Sequence, residues 1–160
     1  ANSYPSKAEI IVRVTADCPL IDPSVVDRVI ECFQKNQSSY DYVSNTLQRT
    51  YPRGLDTEVF SFKAMEEAFY EAQLPGEREH VTPFIYNHPQ RHRLGNVTYH
   101  TDESRHRLTV DTPEDFTLIK NIIEELYPVK PDFNLEDILQ VMERHPDWVE
   151  INSMIEQKKI

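Results

Sequence analysis

The chain has 160 residues, a formal net charge of −10 and a pI near 5.0. That length suits one domain with a sizeable core, the acidic balance argues against a nucleic-acid binder, whose phosphate contacts need clustered Lys and Arg, and Cys18 and Cys32 are too few for a disulfide framework. No apolar run approaches the ~20 residues of a membrane span and the start, ANSYPSKAEI, has no signal-peptide apolar region, so the expectation is a soluble, cytoplasmic protein.

Ile10, Ile11, Val12 and Val14 form a short apolar run, read as a strand buried on both faces of a parallel or mixed sheet. It breaks into a polar turn holding Asp17, and Asp22-Pro23 supplies an N-cap and N1 proline for a helix to about Gln34. Val25, Val26, Val29, Ile30 and Phe33 make that helix's stripe. Tyr40 to Asn45 reads as a second strand, Gln48 to Asp56 as an ordered loop, and Glu58 to Phe60 as a brief strand. Ser61 caps a helix with the stripe Phe62, Met65, Phe69 and Ala72, ended by Pro75 and Gly76. Pro83 is either N1 of a helix capped by Thr82 or a kink in one that began near Glu77. Strands follow at Arg93 to Tyr99 and around Leu108 and Val110. Thr112, Pro113 and Asp115 then start a helix with Phe116, Ile119, Ile122, Ile123 and Leu126 on its buried face. Helical patterns at Leu135 to Glu143 and Asp147 to Gln157 close the chain. Strands alternating with helices predict a layered α/β fold, in which residues 46–100 read as an insertion.

Asp17 and Asp111 each sit at the carboxyl end of a predicted strand and before a helix, where open α/β sheets place their ligands. If those strands are neighbours, the two carboxylates meet on one edge, an arrangement suited to a cation. Mg²⁺ uses one or two carboxylates plus substrate phosphates, and a nucleoside triphosphate is the obvious phosphate source. The competing reading makes Asp111 a helix-start acid favoured by the dipole and Asp17 a turn acid. Arg78, Arg91, Arg93, Arg105 and Arg107 are interspersed with five histidines from His80 to His106, a locally cationic stretch able to attract an anionic substrate, its histidines mostly solvent-facing or interfacial. His88 and His92 have i, i+4 spacing, but Pro89 intervenes and no HExxH accompanies them, so zinc is a poor alternative. Cys18 lacks a nearby base and reads as buried packing, and Trp148 as a packing anchor.

VRVTADCPLIDP, residues 12–23, resembles a motif of the sugar cytidylyltransferases of spore coat polysaccharide biosynthesis, relatives of the enzymes that load CMP onto ketodeoxyoctonate and sialic acids. YPRGLDTEVF (51–60), GEREHVTP (76–83) and VDTPED (110–115) are similar to further blocks in order, and the resemblance runs from Val12 to about Tyr127. It implies a glycosyltransferase-A-like mixed sheet flanked by helices, a homodimer formed through the inserted segment, and Mg²⁺-dependent transfer of CMP from CTP to a sugar hydroxyl with release of pyrophosphate. In relatives the acids matching Asp17 and Asp111 bind the catalytic Mg²⁺. Some relatives carry another acid where this chain has Thr109, which leaves the ligand count open.

In the second block Arg53 can grip a carboxylate bidentately, with Asp56 and Glu58 accepting sugar hydroxyls or orienting it. The alternative is a structural loop in which Arg53 pairs with Asp56 or Glu58 and Gly54 takes positive φ. In the third block Arg78 and His80 are candidate contacts to an acidic sugar, or else part of a helix surface or subunit contact. The glycine-containing triphosphate loop with which the family begins has no match here. The expectation is therefore that about the first third of a family-length protein lies outside this chain, and that the chain alone binds CTP weakly or not at all. Two other readings stand beside this one: a non-catalytic oligomerisation or carbohydrate-binding module, and a nucleotidyltransferase for another nucleotide or a neutral sugar.

Overall fold

The computed structural model describes residues 8–155. Its elements in chain order are β1 (Ile10–Arg13), α1 (Pro23–Lys35), β2 (Tyr42–Ser44), β3 (Glu58–Ser61), α2 (Phe62–Glu71), α3 (Pro75–His80), α4 (Pro83–Tyr86), β4 (Leu94–Asn96), α5 (Pro113–Leu126), α6 (Leu135–Arg144) and α7 (Pro146–Glu150). Among the described residues the strands form one mixed sheet in the order β1-β3-β2-β4, with β3 antiparallel to both neighbours and β2 parallel to β4. Residues 46–100 thus contribute two of its four strands, β3 and β4.

The two-residue period of the strands decides where the helices attach. Val43 and Val59 point to one face and pack on Val29 and Phe33 of α1. Tyr42 and Phe60 point to the other and pack on Ala64, Ala68, Phe84 and Ile85 of α2 and α4. A separate core joins α5, α6 and α7 through Leu118, Ile119, Ile122, Ile138, Val141 and Met142, with Leu20 and Leu108 inserted from the loops.

Asp22 caps α1 as its position suggests, its Oδ1 accepting from the Ser24 amide at 2.7 Å. Its Oδ2 also accepts from the Leu135 amide at 2.9 Å, so one buried carboxylate satisfies the starts of both α1 and α6. Burial pushes this carboxyl up, but the Leu135 and Ser24 donors outweigh it and leave the pKa below its ordinary value.

Several expectations change. β1 is an edge strand among the described residues, with Val12 and Val14 exposed by 43% and 48%. An apolar run signals a strand but cannot report which of its flanks is covered. α2 buries its small side chains, Ala64 and Ala68, and exposes Phe62 (47%) and Phe69 (62%), because close approach to β3 favours alanine. On α5, Leu118 is buried in place of Phe116. α3 begins at Pro75, where a helix end was expected, and Val81, at φ +68, separates it from α4, so Pro83 is an N1 residue. No strand forms at Leu108 to Val110; Arg107 instead makes a single parallel bridge to Arg53. α7 ends at Glu150, and the last residues of the expected Asp147 to Gln157 helix fall outside the described residues.

The Asp41–Arg93 pair ties the entry of β2 to that of β4. Arg93 donates from its amide and Nε to Asp41 Oδ2 (both 2.9 Å) and from Nη2 to Oδ1 (2.8 Å). The Arg93 hydrogen bonds hold the Asp41 carboxyl down to about 2, from 3.8. A depressed folded-state pKa stabilises above the unfolded value and is lost as pH falls through the folded one. The difference in melting temperature between the wild type and Asp41→Asn should therefore be constant above about pH 5 and shrink toward pH 2. A difference independent of pH over that range would remove the charge from the explanation.

Candidate functional site

The turn after β1 carries Asp17, and the segment before α5 carries Asp111. The Val110 amide donates to the Asp17 carbonyl at 2.8 Å, which brings the two segments side by side although 94 positions separate the aspartates in sequence. Both side chains reach solvent, Asp111 more openly than Asp17. The Thr109 hydroxyl lies 3.4 Å from Asp111 Oδ2. The donors here are all oxygen, which suits a hard cation such as Mg²⁺, with waters and substrate phosphates completing the shell. Among the described residues no group of three or more His, Cys, Asp or Glu is placed to hold a metal. Cys18, beside Asp17, is buried and accepts or donates across 3.1 Å to Thr15 Oγ1; burial pushes its thiol up to about 11, far from a nucleophile's range.

Asp111 is held by Arg107, whose guanidinium reaches Asp111 Oδ2 and also grips Asp115 through Nε (2.9 Å) and Nη2 (3.0 Å). Asp115, fully buried, further accepts from Asn152 Nδ2 at 2.8 Å and from the amides of Asp111 and Thr112 at 3.1 and 3.2 Å. Asn152 Nδ2 donates to the Arg107 carbonyl as well. Sequence reasoning identified Asp115 only as a capping residue, which it is; its second duty depends on Arg107 and Asn152, and no local pattern announces those partners.

Arg53 lies half-buried beside this network. Its amide donates to the His106 carbonyl at 3.0 Å and its carbonyl accepts from Leu108 N at 2.8 Å, a pairing that Gly54 permits by taking φ +98. Burial lowers the Arg53 pKa, and the neighbouring charges of Arg49 and Arg107 lower it further against the opposing pull of Asp56. Asp56 is bound bidentately by Arg49 (2.6 and 2.7 Å), not by Arg53. Glu58, buried on β3, accepts from the Tyr42 hydroxyl at 2.6 Å and from Arg13 across the β1–β3 register.

Arg78 and His80 belong to α3. Arg78 donates to the Phe69 carbonyl at 2.8 Å and stacks over that ring at 5.7 Å. Among the described residues no hydrogen bond or ion pair joins Arg78 or His80 to Asp17, Asp111, Arg53 or Asp56. The cationic stretch is largely neutralised in place. Arg91 is bidentate to Glu71, Arg93 to Asp41, Arg105 pairs with Glu103, and Arg107 with Asp111 and Asp115. Of its five histidines, His80, His88 and His100 reach solvent, in line with the expectation for most of them, while His92 and His106 are buried.

The class is thus set by a mixed α/β sheet with helices on both faces and two aspartates on adjoining loops at its edge. A family model described as cytidylyltransferase matches residues 1–157; the chain belongs to the cytidylyltransferase family. It is 34% identical over 155 residues to an uncharacterized protein of Methanocaldococcus jannaschii, covering 94% of this chain and 60% of that protein. It is 29% identical over 144 residues to the spore coat polysaccharide biosynthesis protein SpsF of Bacillus subtilis, covering 88% and 58% respectively. A solved cytidylyltransferase from Leptospira borgpetersenii superimposes with a TM-score of 0.85 at 33% identity, covering 93% of this chain and 61% of that one. The chain therefore spans about three-fifths of the length of these relatives.

Proposed function

We propose that this chain is the metal, sugar and dimerisation part of a nucleotidyltransferase that transfers CMP from CTP to the hydroxyl of an acidic sugar, releasing pyrophosphate, for spore coat or surface polysaccharide synthesis. The observation that carries the reading is the Val110–Asp17 hydrogen bond, which seats Asp111 next to Asp17. In this reading Asp17 and Asp111 hold Mg²⁺, which when bound neutralises phosphate charge and orients the attacking hydroxyl. Arg107 fixes the direction of the Asp111 carboxylate, and Arg53 meets the acidic group of the sugar. Asp56 and Glu58 retain lone pairs for sugar hydroxyls while Arg49, Tyr42 and Arg13 hold them in place. Positioning and charge stabilisation carry the reaction, with no covalent enzyme intermediate.

Phe62, Phe69 and Tyr70 on α2, with Leu74 before α3, give an exposed apolar face that fits a second copy of the chain, and Arg78 and His80 adjoin it as subunit or sugar contacts. A cytoplasmic location, where CTP is available, belongs to the same proposal.

The test is pyrophosphate release from CTP and Mg²⁺ with a panel of acidic and neutral sugars, run on this chain and on the full product of its gene, with sedimentation of the same samples. Release is expected from the full product with an acidic sugar, reduced about 100-fold or more by Asp17→Ala or Asp111→Ala, with this chain alone binding CTP weakly or not at all and sedimenting as a dimer. A dimeric full product that releases nothing would replace this reading with a carbohydrate-binding or oligomerisation module.

A further inference from the structure

The backbone of Arg107 is fixed from two directions. Its neighbours bond to Arg53, the Arg53 amide donating to the His106 carbonyl and the Leu108 amide to the Arg53 carbonyl. In such a parallel bridge Arg107 turns its own carbonyl the other way, and there Asn152 Nδ2 donates to it at 2.9 Å. The same Nδ2 donates at 2.8 Å to Asp115 Oδ1, the oxygen that also accepts from Arg107 Nε at 2.9 Å. A side-chain amide carries two N–H donors, so each acceptor takes one. Asn152 therefore joins the backbone of Arg107 to the carboxylate that holds the guanidinium of Arg107.

Asn152 lies in the turn after α7 and is 4% exposed, yet its effect falls on a carboxylate open to solvent. Arg107 Nη2 donates to Asp115 Oδ2 and to Asp111 Oδ2, and the Asp111 side chain is 47% exposed. Water can satisfy so open a carboxylate in several rotamers, so a single setting must come from a donor that is itself held still. Arg107 is such a donor while its backbone and Asp115 keep their places, and the Asn152 amide binds both. Being neutral, that amide does so without competing with Arg107 for the ion pair. Leucine in its place would have similar volume but no donor, and would leave each of the two buried acceptors one hydrogen bond short.

We infer that Asn152 is a positioning residue for Asp111: acting through Asp115 and Arg107, the turn after α7 sets the direction of the carboxylate that precedes α5. Control of the Asp111 rotamer is independent of any ligand. Its consequence for a bound metal rests on the proposed transferase reading, and there the replacement of a residue that supports a ligating group costs about 10–100-fold in metal affinity.

The experiment uses the 160-residue chain, first without metal. Three-bond NMR couplings to Asp111 Cγ report how narrowly its χ1 angle is distributed, and exchange of the Arg107 Nε proton reports the hold of Asp115 on the guanidinium. Mn²⁺, a paramagnetic substitute for Mg²⁺ with the same preference for oxygen donors, is then titrated against broadening of the Asp17 and Asp111 amide signals. The wild type is expected to show one Asp111 rotamer. In Asn152→Leu that rotamer averages over several, Arg107 Nε–H exchanges faster, and the Mn²⁺ dissociation constant rises about tenfold. Asn152→Ala is the second variant, with urea unfolding confirming that each is folded. Ile138→Val, which trims the α5–α6–α7 core and leaves the Asn152 amide in place, should change none of the three readouts. The inference is overturned if Asp111 keeps its single rotamer in a folded Asn152 variant, or if Ile138→Val averages it as much. Mn²⁺ that broadens neither aspartate amide in the wild type would remove the metal reading alone, because the rotamer measurement contains no metal.

Discussion

Asp115→Ala is expected to destabilise the protein by about 3–5 kcal/mol, the range for removing one partner of a buried ion pair. Arg107 would keep Asp111, but Asp111 is largely solvated, whereas Asp115 is fully buried and receives donors from two side chains and two amides. The substitution also removes one contact of Asn152 and the side-chain half of the α5 capping box. For a chain of this size the loss corresponds to a fall of about 10 °C in melting temperature, readable as a shift in the urea midpoint at pH 7. Asp115→Asn preserves shape and should recover part of it. A loss below about 1 kcal/mol for the alanine variant would show that Arg107 and Asn152 re-pair without it. Burial raises the Asp115 pKa, but Arg107, Asn152 and the Asp111 amide together leave it below 3.8. Its contribution is therefore full above the unfolded value and lost as pH falls through the native one.

Gly54→Ala is expected to cost about 3 kcal/mol or more. A Cβ at this position would stand 2.5 Å from the Leu108 carbonyl oxygen and 2.6 Å from its carbon, both backbone atoms that cannot swing aside, and φ +98 is itself unfavourable for alanine. Relief requires parting residues 53 and 54 from 106–108, which moves Arg53 away from Arg107. Gly95→Ala is the control. There the nearest atoms, at 3.0 Å, belong to the side chains of Tyr40 and Val43, so repacking should limit the cost to roughly 1 kcal/mol. Equal losses at the two glycines in denaturant unfolding would disprove the backbone argument.

The elements that were legible in sequence are those with local signals. Asp22-Pro23, Ser61 and Thr112-Pro113 each start a helix where the capping pattern places it. Asp17 and Asp111 stood out because both follow strand-like runs, although the second run proved to be a bridged loop. The errors arose where tertiary packing chose among local options. Apolar periodicity favoured Phe62 and Phe69 as the inner face of α2, and the sheet instead selected Ala64 and Ala68, whose small size allows closer approach. The Arg107–Asp115–Asn152 network and the partnership of Asp56 with Arg49 depend on which side chains converge in space, and residues 107 and 152 carry no pattern that links them.

The Asp22 carboxylate, shared between the first turn of α1 and the Leu135 amide, closes a loop of 113 residues. Contacts of such long sequence separation form late, after the entropy of closure has been overcome. The α6 start thus completes its hydrogen bonding only when the segment just beyond Asp17 has found its place. Opening of the C-terminal helices and loosening of the Asp17 turn therefore belong to one cooperative unit, and their amides should exchange with solvent at a common free energy.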